Sequence, residues 1–438
     1  MGTQAEVLAA PAAVEELPLA VQRRSMVGFI ADYVLFAMAL AILNPGVLPP
    51  DFVTQLGGGP VLAGLAGLIF RAFWLVPQMF FAAWINRVPH KKRYIVLPAI
   101  PGRTYLLVAA GLMVAVGPDH PDVLILLLLS GLAMLGFCDG MSAVAWMDVL
   151  GSSLSVSQRS WMISLSQALG GVLVAVLVTP LVRHVLGPAG PLFPANYALL
   201  LAISSVLLVL GISAYVLVRE GHSPPPADSP SLRQYRAFVW RSLQQDHGFR
   251  RYLLTRFVFD LGNAGLPFYI VFATEVLGQA SAIALSDQIL LTTTTSIAAA
   301  FLLGRINFRY GPRRVMILAG FAAMSGPLLV LSARFLGPTG LHLAWITVAV
   351  INTAFVPGFL NWVVEYAPEG YRPIYSGLAN TLGMVALVAP LIGGVIIQTL
   401  SYEALFATAG GLGVLAVVLI LRLPDPRQSR QAVVREAL

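Results

Sequence analysis

Three carboxylates lie deep inside long apolar stretches of this chain, where an ionisable side chain is costly to bury. They are Asp32, Asp139 and Asp260. At a helical rise of about 1.5 Å per residue, Asp32 is ~10 Å and Asp139 ~14 Å from the nearer polar end of its stretch, and Asp260 has a similar depth. Ionisable residues this deep in a membrane generally mark ion, proton or substrate pathways. These acids are therefore candidates to bind and release a proton or a small cation.

Each acid also has a competing role as one half of a buried ion pair. Arg256 precedes Asp260 by four residues, so both lie on one face of a helix. Arg103 lies about 15 Å deep in its own stretch and could pair with Asp139. Asp32 has no basic neighbour nearby in the sequence. Neutralisation is thus an open alternative to proton exchange, above all for Asp260 and Asp139.

Arg71 is the deepest isolated cation, about 22 Å from the polar end that follows its stretch. An unpaired arginine at this depth is unfavourable, so we expect it to meet an acid, helix carbonyls or an anionic group of a substrate. Uncharged polar residues add weaker candidates for substrate or gating contacts, although such residues often join helices to one another instead. The candidates are Gln167, Gln288, Thr292, Asn352 and Asn380.

Motifs for metal binding and for catalysis are missing from the sequence. Cys138 is the single cysteine, which excludes disulfides within the chain and cysteine-rich metal clusters. The six histidines fall in loops or near the ends of apolar stretches. A phosphate-binding loop, a nucleophile elbow and zinc-spaced ligands are all absent. We expect no enzyme activity, no cofactor and no metal.

The elements that carry these residues are membrane-spanning helices. Of the 438 residues, 58% are hydrophobic and 11% are charged, and the mean hydropathy is +0.81. A span needs about 20 apolar residues. On that scale the sequence predicts twelve spans, near 25–44, 60–86, 94–116, 122–147, 160–182, 195–218, 252–274, 283–304, 314–335, 341–364, 373–398 and 402–421.

The basic residues predict how the spans are oriented. We assign 22 of the 27 lysines and arginines to one side of the membrane, and that side is predicted to be cytoplasmic because translocation of basic loops is disfavoured. An even number of spans places both termini there. The net charge of +7 resides in short loops and not on an aromatic-rich basic face, so we expect no nucleic-acid partner.

The chain divides into two similar halves. We expect a cytoplasmic segment at 1–24, six-helix bundles at 25–218 and 252–421, a linker at 219–251 with a basic amphipathic helix, and a cytoplasmic tail at 422–438. The first and seventh spans carry the related sequences Phe29-Ile30-Ala31-Asp32 and Phe257-Val258-Phe259-Asp260. Such internal repeats are typical of secondary transporters.

The loop after the eighth span resembles the signature loop of the major facilitator superfamily. It reads Gly304-Arg305-Ile306-Asn307-Phe308-Arg309-Tyr310-Gly311-Pro312-Arg313-Arg314 and keeps Gly304, Arg309, Gly311 and Arg313 in the matching places, with Phe308 in place of an acid. The loop after the second span retains Asn86 and Arg87. The resemblance implies an all-α fold of two pseudo-symmetric six-helix bundles, with these residues forming a cytoplasmic gate.

A second resemblance concerns the eleventh span. Ala389-Pro390-Leu391-Ile392-Gly393-Gly394 is similar to an element of proton-coupled drug exporters, where it belongs to span five. The match to that bacterial-type subfamily is partial. It implies an antiporter in the cell membrane that exports a small amphipathic molecule by alternating access, coupled to protons, as a monomer in the lipid bilayer. The alternatives are an uptake carrier for a small polar or anionic metabolite, and a non-transporting lipid scramblase or sensor that shares the fold.

Overall fold

Every regular element is helical in the residues that the structure describes, namely 17–85, 88, 90–221, 246–367 and 372–426. The structure is a computed structural model of the full chain. Long apolar segments form these helices because a backbone in lipid must satisfy its hydrogen bonds within its own segment. The all-α architecture predicted from the sequence is therefore confirmed.

The first half contains eight helices. Short non-α segments join some of them: a π-helical turn at Val174–Val178 links α6 to α7, and a 3₁₀ turn at Ala214–Leu217 ends α8. The helices are α1 (Leu19–Leu43), α2 (Leu48–Gln55), α3 (Pro60–Ile85), α4 (Arg93–Val116), α5 (Pro121–Ser153), α6 (Val156–Leu173), α7 (Thr179–Val185) and α8 (Ala195–Ser213).

The second half repeats this arrangement with similar interruptions. Its π-helical turns lie at Phe272–Val276 and Phe355–Leu360, and its 3₁₀ turns at Asn263–Gly265 and Ala386–Val388. The helices are α9 (His247–Gly262), α10 (Phe268–Val271), α11 (Ser281–Tyr310), α12 (Pro312–Leu336), α13 (Pro338–Thr353), α14 (Asn361–Tyr366), α15 (Arg372–Val385), α16 (Ala389–Thr399) and α17 (Tyr402–Leu421).

The observed helices follow the predicted spans closely. Among the described residues, eleven helical segments are long and apolar enough to cross a membrane, and Ala386–Thr399 is a shorter apolar helix at the position of the eleventh predicted span. Helix α2 is the element that the sequence reading omits. Its Pro-Pro-Asp start explains it, because proline and an acid both favour the first turn of a helix.

Small residues allow the helices within each half to pack closely. A Cβ added to Gly136 or Gly140 of α5 would collide with the backbone of Phe70 or Trp74 in α3. In the second half, a Cβ on Gly413 of α17 would lie 2.6 Å from the Cα atom of Met324 in α12. Close approach through small residues is the usual way in which helices pack inside a membrane.

The two halves contact each other mainly through α3 with α16 and through α7 with α11. A Cβ on Gly394 would lie 2.5 Å from the carbonyl oxygen of Pro60, and one on Gly64 would meet the carbonyl of Pro390. Pro60 begins α3 and Thr179–Val185 follows the π turn of α6, so these contacts lie toward the predicted outer side. The halves are thus held together at that end.

Candidate functional site

A cavity of about 570 Å³ lies between the two halves. Helices α1 and α3 line it from the first half, and α9, α11, α13 and the α15–α16 segment line it from the second. The lining mixes aromatic rings with polar groups. The aromatic residues are Phe36, Phe70, Trp74 and Trp345, and the polar or charged residues are Asn44, Arg71, Asp260, Asn263, Gln288 and Asn352.

Arg71 lies in the middle of α3 and faces this cavity. It is the twelfth residue of a 26-residue helix, and its side chain is exposed. Among the described residues, Arg71 forms no salt bridge and no hydrogen bond. The charges of Asp260 and Arg256 act on it across the cavity. The sequence predicted three possible partners for Arg71. Two of them, an acid and helix carbonyls, are not in direct contact with it in the described part of the chain.

Asp260 is the acid that the structure places in the cavity wall. Its carboxylate accepts a hydrogen bond from Arg256 Nε at 2.6 Å, and the pair lies one turn apart on α9, as the sequence spacing predicts. The Arg256 guanidinium also lies over the rings of Phe355 and Phe359 at 4.5 and 5.3 Å. Gly383 lies beside the pair, and a Cβ there would be 3.5 Å from Asp260 Oδ2. The Asp260 carboxylate thus remains accessible from the cavity, whereas its partner Arg256 is buried.

Asp32 and Asp139 are brought together inside the first half, and neither is among the residues that line the cavity. Arg103 Nε donates to Asp139 Oδ1 at 3.2 Å, and Arg103 Nη1 donates to Asp32 Oδ1 at 3.2 Å and to the Leu208 carbonyl at 2.9 Å. The exposed fractions of Asp32, Arg103 and Asp139 are 6%, 4% and 4%. Arg103 thereby joins α1, α4, α5 and α8. The roles of both acids in proton coupling stay a prediction.

The sequence offered no partner for Asp32, because Arg103 is 71 residues away along the chain. The pairing depends on how α4 crosses α1. One oxygen of the cluster, Asp139 Oδ2, is buried and has no hydrogen-bond partner among the described residues. Two carboxylates thus share one guanidinium.

The uncharged candidates separate into two groups. Gln288 and Asn352 line the cavity, and the Gln288 side chain accepts a hydrogen bond from Asn44 of the other half. Thr292 donates to the Gln288 carbonyl at 2.7 Å, within its own helix. Gln167 lies 3.5 Å from the hydroxyl of Tyr33 within the first half. Thr292, Gln167 and Asn380 are not among the residues lining the cavity.

A buried polar cluster closes the predicted outer end of the cavity, and none of its residues except Gln288 was among the candidates from the sequence. Asp51 of α2 is fully buried and accepts hydrogen bonds from Tyr197 at 2.5 Å, Gln55 at 3.0 Å and Ser281 at 3.1 Å. Ser281 begins α11 of the second half and also contacts Gln55 at 2.9 Å. These bonds, together with the one between Asn44 and Gln288, connect the two halves. The clue in the sequence was an acid next to two prolines.

In the loop after α11, a glycine ends the helix and an arginine binds the end of a neighbouring helix. Gly311 ends the helix with φ of 86°, a conformation that favours glycine. Arg313 then donates to the carbonyls of Ile420 and Leu421 at the end of α17, so a cation stabilises a helix C-terminus. Arg309 lies over the ring of Tyr310 at 5.2 Å.

The corresponding loop after α3 also binds neighbouring helices through basic side chains. Lys92 Nζ donates to the Val218 carbonyl just beyond α8, and Lys91 Nζ pairs with Asp148 of α5 at 2.7 Å. The Glu220 carboxylate accepts the backbone N–H groups of Lys91 and Lys92. Burial lowers the pKa of the Lys92 ammonium, and Glu220 acts in the opposite direction. Both halves therefore bind their last spanning helix through a basic loop.

Some predicted features lie outside the described residues. These are Asn86 and Arg87 of the first gate loop, residues 222–245, which include the predicted amphipathic helix of the linker, and most of the predicted N-terminal segment and C-terminal tail (1–16 and 427–438). Gly304, near the C-terminal end of α11, has open space where a Cβ would project.

The sequence profile of the Major Facilitator Superfamily matches residues 31–389 and 253–437 of this chain. The two matches together extend over most of its length and overlap in the second half, where the complete signature loop lies. This chain belongs to the Major Facilitator Superfamily. It is therefore a multi-pass membrane protein of a transporter family, as the sequence resemblance implied, and not an enzyme.

Members of the superfamily with solved structures share the fold at low sequence identity. A bacterial homolog of the human lysosomal transporter Spinster, in an inward-facing and unoccupied conformation, is 14% identical with a TM-score of 0.58, covering 93% of this chain and 95% of that one. The D-xylose-proton symporter is 15% identical with a TM-score of 0.64 over 93% and 97%. The nucleoside transporter NupG is 11% identical with a TM-score of 0.62 over 92% and 98%.

A sequence relative also extends along most of the superfamily domain. An uncharacterized protein of Mycobacterium tuberculosis strain H37Rv is 23% identical over 399 residues, which is 84% of this chain and 74% of that protein. These similarities show a superfamily fold with transporter neighbours. They do not assign a substrate, because the solved proteins carry different solutes on one architecture.

Proposed function

We propose that this chain is a proton-coupled secondary transporter for a small amphipathic molecule, working by alternating access. The observation that carries the proposal is the mixed polar and aromatic cavity between the two halves. Its volume of about 570 Å³ is within the usual range for small-molecule sites. Rocking of two repeats about a site of this kind is the common mechanism of secondary transporters.

The lining supports an amphipathic solute. Phe70 and Trp74 offer partly exposed aromatic surface, while Asn263 and Asn352 offer amide groups that can orient a polar end. Pockets that combine apolar walls with a few polar groups select ligands with both kinds of surface. A purely polar metabolite would leave the aromatic walls unused.

Asp260 is the best-placed carboxyl for proton coupling. It lines the cavity near its Arg256 partner, and Arg71 acts on it from the opposite half. A carboxyl between two cations changes the local charge balance whenever it takes up a proton, and this couples protonation to the binding of a charged solute. Asp32 and Asp139 are less accessible, since both are bound to Arg103.

The conformation supports an inward-facing state. The hydrogen bonds of Asp51 and Gln55 with Ser281, and that of Asn44 with Gln288, join the halves toward the predicted outer side. Alternating access then requires these bonds to break when the cavity opens outward. Both directions of transport are compatible with this mechanism: the exporter-like element that includes Pro390, a residue of the cavity wall, is the sequence argument for export, and uptake is the alternative.

A scramblase or sensor role has weaker support. Sequestered acids would suit such a role, and Asp32 and Asp139 fit that description. Asp260 does not, because it lines a cavity shared by both halves.

Flux in proteoliposomes tests the proposed function. Purified protein is reconstituted, a pH gradient is imposed in either direction, and uptake and efflux of anionic, neutral and cationic amphipathic compounds are recorded. We expect at least one compound to move faster than in protein-free vesicles and to respond to the gradient. Asp260→Asn should remove this response, whereas the control Asp287→Asn should retain it, because Asp287 pairs with His342 outside the cavity. Absence of flux for every compound would contradict the proposal.

A further inference from the structure

Arg71 is a cation in the middle of the membrane with no direct protein partner in the described chain. Its side chain is exposed to the cavity, about 16 Å along α3 from Pro60. A guanidinium at that depth needs an anion, carbonyl groups or water in the cavity to accept its hydrogen bonds, and a bound anion also compensates its charge. Arginine presents a planar fork of donors that matches the oxygens of carboxylate and phosphate groups.

The charges around the cavity do not cancel. Arg71 and Arg256 contribute two positive charges, and Asp260 contributes one negative charge in a 2.6 Å pair with Arg256. Tyr252, on the same helix as Asp260, is the further titratable group beside this pair. Asp260 is thus engaged by Arg256, which leaves the Arg71 guanidinium available to a negatively charged ligand.

The surroundings of Arg71 specify more than an anion. Phe70 and Trp74 flank it on α3, and Trp345 contributes to the opposite wall. Asn263 and Asn352 add amide groups to the lining. A hydrated inorganic anion would leave the aromatic surface uncovered, whereas a molecule with an anionic head and an apolar body covers both.

We propose that the substrate is an amphipathic organic anion, whose carboxylate or phosphate head binds Arg71 while its apolar body packs against the aromatic wall. The inference rests on the proposed function, since it names the substrate class of the same cavity. The anion head and the Asp260 carboxylate then compete for the positive charge of Arg71 and Arg256.

This competition determines the sign of proton coupling. A proton on Asp260 neutralises the competing carboxylate and strengthens binding of the anion. By reciprocity, the bound anion favours protonation of Asp260. Proton and anion therefore bind together, as in a symporter, and an inward proton gradient drives uptake. A cationic substrate would compete with the proton and give export by antiport.

Binding of four probes with one naphthalene body tests the charge preference. The probes are naphthylacetate, naphthyl phosphate, neutral naphthylacetamide and cationic naphthylmethylamine, added to the purified full-length protein. Tryptophan fluorescence reports binding near Trp74 and Trp345, and thermal unfolding reports stabilisation. We expect at least one anion to bind roughly tenfold or more tightly than the amide, because a charge-assisted bidentate contact is added. Failure of both anions to bind, or tightest binding of the amine, would overturn the inference.

Substitution of Arg71 locates the contact. Arg71→Gln should weaken anion binding about tenfold to a hundredfold and leave amide binding unchanged. Arg71→Lys, which keeps the charge but loses the fork, should show a smaller loss. The matched control is Arg334→Gln, because Arg334 forms an exposed pair with Glu403 outside the cavity. Equal anion affinity in Arg71→Gln and in the unchanged protein would contradict the assignment.

Proton counting tests the coupling sign. Addition of the anion to weakly buffered protein should raise the pH of the solution through proton uptake, and Asp260→Asn should abolish that uptake while retaining anion binding. Proton release would contradict the scheme. The two proposals can fail separately. Gradient-driven flux of only neutral or cationic compounds would contradict the anion site but support the transport function. Tight anion binding without any flux would support the anion site but contradict the transport function.

Discussion

Three arginines in the middle of spanning helices have three different surroundings. Arg103 is enclosed by two carboxylates and a carbonyl, Arg256 shares its charge with Asp260 and two aromatic rings, and Arg71 faces the cavity without a direct partner. From the sequence, Arg71 was a candidate for substrate contact, and Arg103 and Arg256 were candidates for buried ion pairs. The spacing of Arg256 and Asp260 predicted their pair on α9. The partners of Arg103 depend on helix crossings, so their full arrangement could not be obtained from spacing alone. Arg71 and Asp260 thus become the residues that face solute.

Replacement of Arg103 should reduce stability. Arg103→Met leaves Asp32 and Asp139 buried without their cation, and removal of one partner from a buried ionic cluster typically costs about 3–5 kcal/mol. Thermal unfolding of the purified protein in detergent measures the loss. The triple variant Asp32→Asn, Arg103→Met, Asp139→Asn should recover part of it, because neutral amides need no counter-charge. Unchanged stability of Arg103→Met would show that the cluster is not a structural anchor.

Helix positions were predictable because apolar length is a strong signal. The span predicted at 60–86 is observed as Pro60–Ile85, and the span at 402–421 as Tyr402–Leu421. Helix α2 was missed because its eight residues are too short for a span and lie among prolines and glycines. Its Asp51 supplies bonds that hold the halves together, so the closed outer end was not predictable either. An element too short to cross the membrane thus supplies part of the polar cluster that closes the outer end of the cavity.

Loss of a hydrogen bond at the outer cluster should shift the conformational equilibrium. Ser281→Ala removes a donor to Asp51, and a net loss of about 1 kcal/mol corresponds to a shift of about fivefold toward the outward-open state. The reporter is Asn352→Cys, at an exposed position of the cavity wall, in a Cys138→Ala background, labelled from outside with an impermeant maleimide. Labelling should accelerate with Ser281→Ala. The control Ser332→Ala should not change it, because Ser332 bonds only to Leu329 among the described residues. A slower or unchanged labelling rate in Ser281→Ala would contradict the proposal that this cluster keeps the outer end closed.

At the scale of the whole molecule, the two halves share one kind of contact, in which a basic loop binds the end of the last spanning helix. In the first half, Lys92 binds the carbonyl of Val218 beyond α8, and in the second half Arg313 binds the carbonyl of Leu421 at the end of α17. The internal echo in the sequence is therefore matched by equivalent contacts. Fold and family were accessible from the sequence, since hydropathy and the signature loop extend over much of the chain. The substrate was not, because it depends on which side chains of distant spans share one cavity.

Orientation is a prediction for the whole molecule. If basic loops stay cytoplasmic, alkaline phosphatase fused after Gly117 should be active, since that enzyme folds only outside the cytoplasm, and a fusion after Gly221 should be inactive. Enzyme activity normalised to expression is the measurement. The reverse pattern would place the loops of Lys92 and Arg313 outside.

Proton movement during solute flux tests the central claim most directly. Proteoliposomes containing a pH-sensitive dye are given a transported compound with no imposed pH gradient, and the internal pH is recorded together with solute uptake. We predict a change in internal pH whose rate follows solute uptake and which is lost in Asp260→Asn. Solute uptake by the unchanged protein without any proton movement would contradict it.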